Sequence, residues 1–177
     1  RQFQAGYFGC INHIDDQLGR ILDVVDQENT IVIFTSDHGE MLGDHQYFQK
    51  SQFCEASARI PFLIRMPEVM GVSREQVHDA PVELMDVMPT LLDAAGVDVP
   101  DTVEGRSLLP LLRGDEESIR DYVHIENLNS GYKDHLECVS QALTDGQWKY
   151  VWRPMLNDEL LFDLKNDPHE MQSLHQD

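Results

Sequence analysis

A chain of 177 residues with thirty-two acidic and thirteen basic side chains carries a formal charge of −19, and with no basic patch to offset that field it excludes nucleic acid and anionic lipid as partners. Hydrophobic residues at 41% and charged residues at 25% predict a soluble globular protein with one core, and no apolar run approaches the ~20 residues of a membrane-spanning helix. An anionic substrate is compatible with this charge only where a bound cation, or locally placed Lys, Arg and His, reverses it.

Apolar residues recur at three- and four-residue steps over residues 7–25, from Tyr7 through Ile11, Ile14, Leu18 and Ile21 to Val25. That spacing predicts an amphipathic helix with one buried face, ending by Glu28-Asn29. Thr30 to Thr35 is a continuous β-branched and aromatic run, which predicts a strand buried on both faces of a helix-covered sheet. Residues 36–58 are polar and long for an idle connection, and they follow a strand's C-terminal end, where ligands bind in open α/β sheets. A second strand is predicted over residues 60–66, with Pro61 confined to its start, and a short third one over residues 82–85. Asp86 is expected to cap a helix over residues 87–95 that stops at Gly96, and residues 107–112 to form a further helical turn. Beyond Asp115 four β-type segments, at residues 122–125, 139–143, 149–152 and 160–163, predict a small antiparallel sheet. No internal repeat interrupts this order.

Cys10, Cys54 and Cys138 are odd in number, far apart and without C-x-x-C spacing, so neither a disulfide framework nor a zinc cluster is indicated. Arg1 leads straight into the helical pattern with no signal peptide, which leaves cytoplasmic and periplasmic or secreted locations equally open.

Chemistry concentrates in residues 36–58. Asp37-His38-Gly39 leaves the first strand where pleat alternation no longer separates side chains, so the carboxylate and the imidazole can address one ion; the competing reading is a polar turn that uses Gly39 for its backbone angle. His45 and Lys50 lie within thirteen residues of Asp37. A cation, a lysine and a histidine are what an anionic ester needs: neutralised charge, a holder for developing negative charge, and a proton for the leaving oxygen. A Lys–anion pair at 4 Å is worth about 4 kcal/mol at an effective dielectric of 20.

Asp37-His38-Gly39-Glu40-Met41-Leu42-Gly43-Asp44-His45, Lys50 and Glu55-Ala56-Ser57-Ala58-Arg59-Ile60-Pro61 together resemble the second half of the sulfatases, in the alkaline phosphatase superfamily. The likeness extends to Asp15-Asp16-Gln17-Leu18-Gly19-Arg20-Ile21-Leu22, Asp86-Val87-Met88-Pro89-Thr90-Leu91-Leu92, Gly105-Arg106-Ser107-Leu108 and Leu161-Phe162-Asp163-Leu164, in the family's order. It implies that Asp37 and His38 are two ligands of a divalent metal, Ca²⁺ with Mg²⁺ or Mn²⁺ as alternatives. It implies that Lys50 contacts the sulfate group and that His45 stands near the substrate as a second catalytic candidate. The family's nucleophile, a formylglycine made from Cys or Ser in C-x-P/A-S-R, and two further aspartate ligands are absent from this sequence.

Cys54 is a one-residue near miss for that nucleophile. Arg59 comes one position too late, and one inserted residue turns a helix by about 100°, taking the arginine off the reactive face. The expected fold is thus α/β: residues 1–114 form the end of an alkaline-phosphatase-like sheet core, and residues 115–177 a small antiparallel subdomain. The expected function is the C-terminal portion of a sulfatase acting on a small-molecule or saccharide sulfate ester, inactive as an isolated chain. Competing expectations are a portion of a phosphonate monoester or phosphodiester hydrolase, and a non-catalytic fragment that forms homo-oligomers through an exposed sheet edge.

Overall fold

The computed structural model describes residues 2–128 and 139–175, so Cys138 and His135 lie outside the described residues. Among the described residues four α-helices, α1 (Gln2–Leu22), α2 (Glu55–Ala58), α3 (Val87–Ala94) and α4 (Leu109–Arg113), accompany six strands: β1 (Val32–Thr35), β2 (Phe62–Arg65), β3 (Val123–Asn127), β4 (Ser140–Thr144), β5 (Trp148–Arg153) and β6 (Asp158–Asp163). β1 and β2 pair antiparallel in register Val32 to Arg65 and Thr35 to Phe62, with Pro61 immediately outside the ladder. β3 to β6 form an antiparallel meander in chain order.

Strand alternation explains the meander's core. Trp148, Tyr150 and Trp152 face outward and are partly exposed, while Lys149 and Val151 point inward and are buried. Ala142, Val151, Phe162 and Leu164 from this side meet Met41, Phe53 and Cys54 from the loop that follows β1. Phe53 and Phe162 stack at 6.2 Å between ring centroids. A second cluster joins Leu108, Leu111 and Ile119 to Phe62, Ile64 and Val82.

Three expectations change. The helix over α1 forms, but none of its residues is buried; Phe3 meets Phe48 edge to face at 5.2 Å and Gln4 donates to the Leu42 carbonyl, and most of its apolar stripe is open. β1 is half-buried rather than buried on both faces, because its sheet among the described residues has only two strands. Residues 82–85 are not a strand. Glu83 and Asp86 bond reciprocally to each other's backbone, folding the segment into a 3₁₀ turn at Leu84–Asp86.

Asp86 precedes α3 as expected, but its side chain does not cap that helix, because the carboxylate is taken by other partners. Its fully buried carboxylate accepts the Glu83 and Arg106 amides at 2.7 and 2.9 Å and both Nη groups of Arg120 at 2.5 and 2.6 Å. Gly105 lies so close that a Cβ there would fall 2.2 Å from the Met85 carbonyl oxygen.

Candidate active site

Asp37 and His38 stand immediately past β1, where the backbone turns onto α2. The Gly39 amide donates to the Ser57 carbonyl at 2.8 Å, and the approach is tight enough that a Cβ on Gly39 would sit 2.1 Å from the Ala56 carbonyl oxygen. Gly39 is therefore required by a close backbone contact. The Ser36 hydroxyl donates to the His38 carbonyl at 2.9 Å, and the His38 amide to Asp37 Oδ1 at 3.0 Å.

The His38 ring is oriented by its neighbour. Nδ1 is 2.7 Å from the Gly39 carbonyl, which can only accept, so Nδ1 carries the proton. In the neutral ring this leaves the Nε2 lone pair free, 3.4 Å from Asp37 Oδ2. Desolvation acts to raise the Asp37 pKa, but hydrogen bonds from its own amide and that of His38, the charge His38 carries when protonated and that of Lys50 hold the carboxyl below its usual range. The Asp37 side chain is 78% exposed and His38 is half-buried.

The loop carrying Lys50 is clamped by Glu40. Its Oε1 accepts the Leu42 amide at 3.1 Å and the Gln49 amide at 2.5 Å, while the Met41 amide donates to the Gln49 carbonyl at 2.7 Å. Left-handed backbone at Leu42, His45, Gln46, Gln49 and Ser51 concentrates conformational strain on both sides of Lys50. Lys50 itself is exposed. Asp37 and His38 pair with each other, and the Lys50 charge acts weakly on Asp37, whereas His45 is directed elsewhere, its Nε2 donating to the His169 carbonyl at 2.8 Å. The oxygen and nitrogen donors of Asp37 and His38 suit a hard or borderline divalent cation. Among the described residues no cluster of three or more His, Cys, Asp or Glu assembles, so these two would form part of a ligand set.

Sequence reasoning missed a buried ion triad behind this loop. Lys149 Nζ, fully buried, lies 2.7 Å from Glu55 Oε1, 2.7 Å from Glu170 Oε1 and 3.0 Å from the Phe53 carbonyl. The signal was present: an outward Trp148-x-Tyr150-x-Trp152 face forces Lys149 inward.

The family description "N-sulphoglucosamine sulphohydrolase, C-terminal" matches residues 43–177. The chain belongs to the sulfatase family. It is 38% identical to an arylsulfatase of Clostridium perfringens, over 98% of this chain and 36% of that protein. The structure of BT4656 in complex with its substrate D-glucosamine-2-N,6-O-disulfate superposes with a TM-score of 0.82 and 27% identity, over 93% of this chain and 34% of that one. The phosphonate monoester hydrolase of Agrobacterium radiobacter gives a TM-score of 0.76 and 34% identity, over 95% of this chain and 36% of that one. The sulfatase chain spans about a third of these relatives' length, within their alkaline-phosphatase-like fold.

Proposed function

We propose that these residues are the C-terminal part of a metal-dependent sulfatase that hydrolyses a small-molecule or saccharide sulfate ester. The observation that carries this reading is the pairing of a proton-fixed His38 ring with Asp37 directly after β1, ahead of the Glu40-clamped loop that carries Lys50. In this reading Asp37 Oδ2 and His38 Nε2 hold a divalent cation, Ca²⁺ with Mg²⁺ or Mn²⁺ as alternatives, which supplies positive charge opposite the ester's anionic oxygens. Gly39 fixes the His38 tautomer through its carbonyl, so Nε2 presents a lone pair without reorganisation. Lys50 holds one sulfate oxygen and stabilises charge that develops on the transferring group. Glu40 keeps that lysine's loop closed. His45 is tied to the His169 carbonyl through Nε2, so a catalytic role for it would fall to its other ring nitrogen.

The 177 residues contain no C-x-P/A-S-R segment, and in this reading the formylglycine comes from a segment outside them, so the chain alone turns over no ester. The same reading takes residues 1–114 as the end of the α/β core and 115–177 as the antiparallel subdomain, supported by the position of β3–β6.

Steady-state kinetics of the full-length enzyme carrying this segment test the assignment with 4-nitrophenyl sulfate. Lys50→Ala is expected to lower kcat/KM by about 100-fold or more, the loss of one oriented charge at the reacting group; an unchanged value overturns the role of Lys50. A second reading is supported by the phosphonate hydrolase likeness at 34% identity. Dominant turnover of an aryl phosphonate over the aryl sulfate would replace the sulfatase assignment with that one.

A further inference from the structure

We propose that Lys149 is a positioning residue for the metal-ligand turn, transmitting the geometry of the antiparallel sheet to Asp37 and His38 through α2; the proposal rests on the site reading above. α2 has four residues, a single turn that cannot hold itself in water. Its place is fixed at both ends by tertiary bonds. At the N-terminal end Lys149 Nζ meets the Glu55 carboxylate and the Phe53 carbonyl, and Glu170 Oε2 accepts the Glu55 amide at 2.6 Å. At the C-terminal end the Ser57 carbonyl receives the Gly39 amide, one residue from His38. Lys149 Nζ donates to the Phe53 carbonyl and to Glu170 and pairs with the Glu55 carboxylate at 2.7 Å, so its contacts fall on residues 53–55 or on Glu170, which in turn holds Glu55. β5 therefore reaches the candidate metal ligands by an unbroken route: Lys149, α2, Gly39, His38. The Phe53 anchor also lies three residues beyond Lys50.

A buried ion cluster is an inefficient way to gain stability, since apolar replacement of the whole cluster is often neutral or stabilising. Its use here is consistent with placing α2 in one register. Outer partners of metal ligands commonly alter metal affinity or activity by 10- to 100-fold when removed.

The test uses the full-length enzyme with three readouts: Mn²⁺ affinity by calorimetric titration, hydrogen exchange at the Gly39 amide, and kcat and KM for 4-nitrophenyl sulfate. The double variant Lys149→Met/Glu170→Gln removes opposite charges together. It is expected to bind Mn²⁺ about 10- to 100-fold more weakly, to exchange faster at Gly39 and to lose kcat more than KM rises. Should it fail to fold, Glu170→Gln alone keeps an oxygen for the Glu55 amide and is expected to give a smaller loss in the same three readouts. Leu111→Ala, in the other apolar cluster, is expected to lower stability with Mn²⁺ affinity unchanged. A folded triad variant with Mn²⁺ affinity and Gly39 exchange within twofold of wild type overturns the proposal, as does a Leu111→Ala variant that weakens Mn²⁺ equally. The two readings fail separately. If Asp37→Asn leaves Mn²⁺ affinity intact and Lys50→Ala leaves kcat intact, the site reading falls and this proposal with it; if the first abolishes affinity and the second kcat while triad variants are silent, only this proposal falls.

Discussion

Cys54 is packed with Phe53 and Phe162 beneath the Lys50 loop, and burial pushes its thiol up to about 12, the Glu170 carboxylate adding to the shift and Lys149 opposing it. At pH 8 the thiolate is then about one molecule in ten thousand, too little for a nucleophile. Iodoacetamide followed by peptide mass spectrometry is expected to label the exposed Cys10 in the native chain and Cys54 only after denaturation. Labelling of Cys54 at a rate equal to Cys10 would return it to the list of reactive groups. Gly39 gives a second test at this scale. Gly39→Ala places a methyl 2.1 Å from a backbone oxygen that cannot rotate away, and an overpacked site of this kind costs about 1–3 kcal/mol. The melting temperature is expected to fall by several degrees, on the order of 5 °C for a chain of this size, as read by calorimetry.

The turn at residues 83–86 is the element whose energetics depend most on pH. Desolvation acts to raise the Asp86 pKa, but hydrogen bonds from Arg120, Arg106 and Glu83, with the charge of Arg120, hold it below the usual carboxylate range. Arg120 is raised in turn, chiefly by its bond to Asp86. A carboxyl whose folded pKa is depressed contributes stability that is fully present above its unfolded value near 4 and is lost as pH falls through the folded value. Wild type is accordingly expected to lose urea stability progressively below about pH 4. Asp86→Asn, which leaves Arg120 with Glu83 at 3.3 Å as its remaining partner, is expected to be weaker by about 3–5 kcal/mol at pH 7 and flatter through the acid range. Equal slopes for the two proteins below pH 4 would show that another carboxyl governs acid unfolding.

At the scale of the whole molecule, the apolar stripe of α1 stands out: Phe8, Ile11, Ile14 and Ile21 are exposed on one long helix. A contiguous apolar face of that length is not stable in water without a partner surface. The isolated 177-residue chain is expected to bind an apolar fluorescent dye strongly and to associate at high concentration in light scattering, with Phe8→Asp/Ile14→Asp reducing both. A clean, dye-silent monomer at high concentration would count against self-association.

The sequence by itself determined the periodic features. Short β-type runs between turn residues located β3–β6, three- and four-residue spacing located α1, and Asp37-His38-Gly39 after an apolar run located the candidate ligands, because each signal lies within a few residues of chain. The family was legible for the same reason: its motifs are short and ordered. Only the tertiary structure decided what depends on distant partners. Asp86 looked like a helix cap until Arg106 and Arg120 arrived from twenty and thirty-four residues away, turning a predicted strand into a turn around a buried carboxylate. Lys149 looked like one residue of a strand until Glu170 and Glu55 met its ammonium group. Local pattern sets the direction in which a side chain points; only the packed chain brings the partner that a buried charge requires.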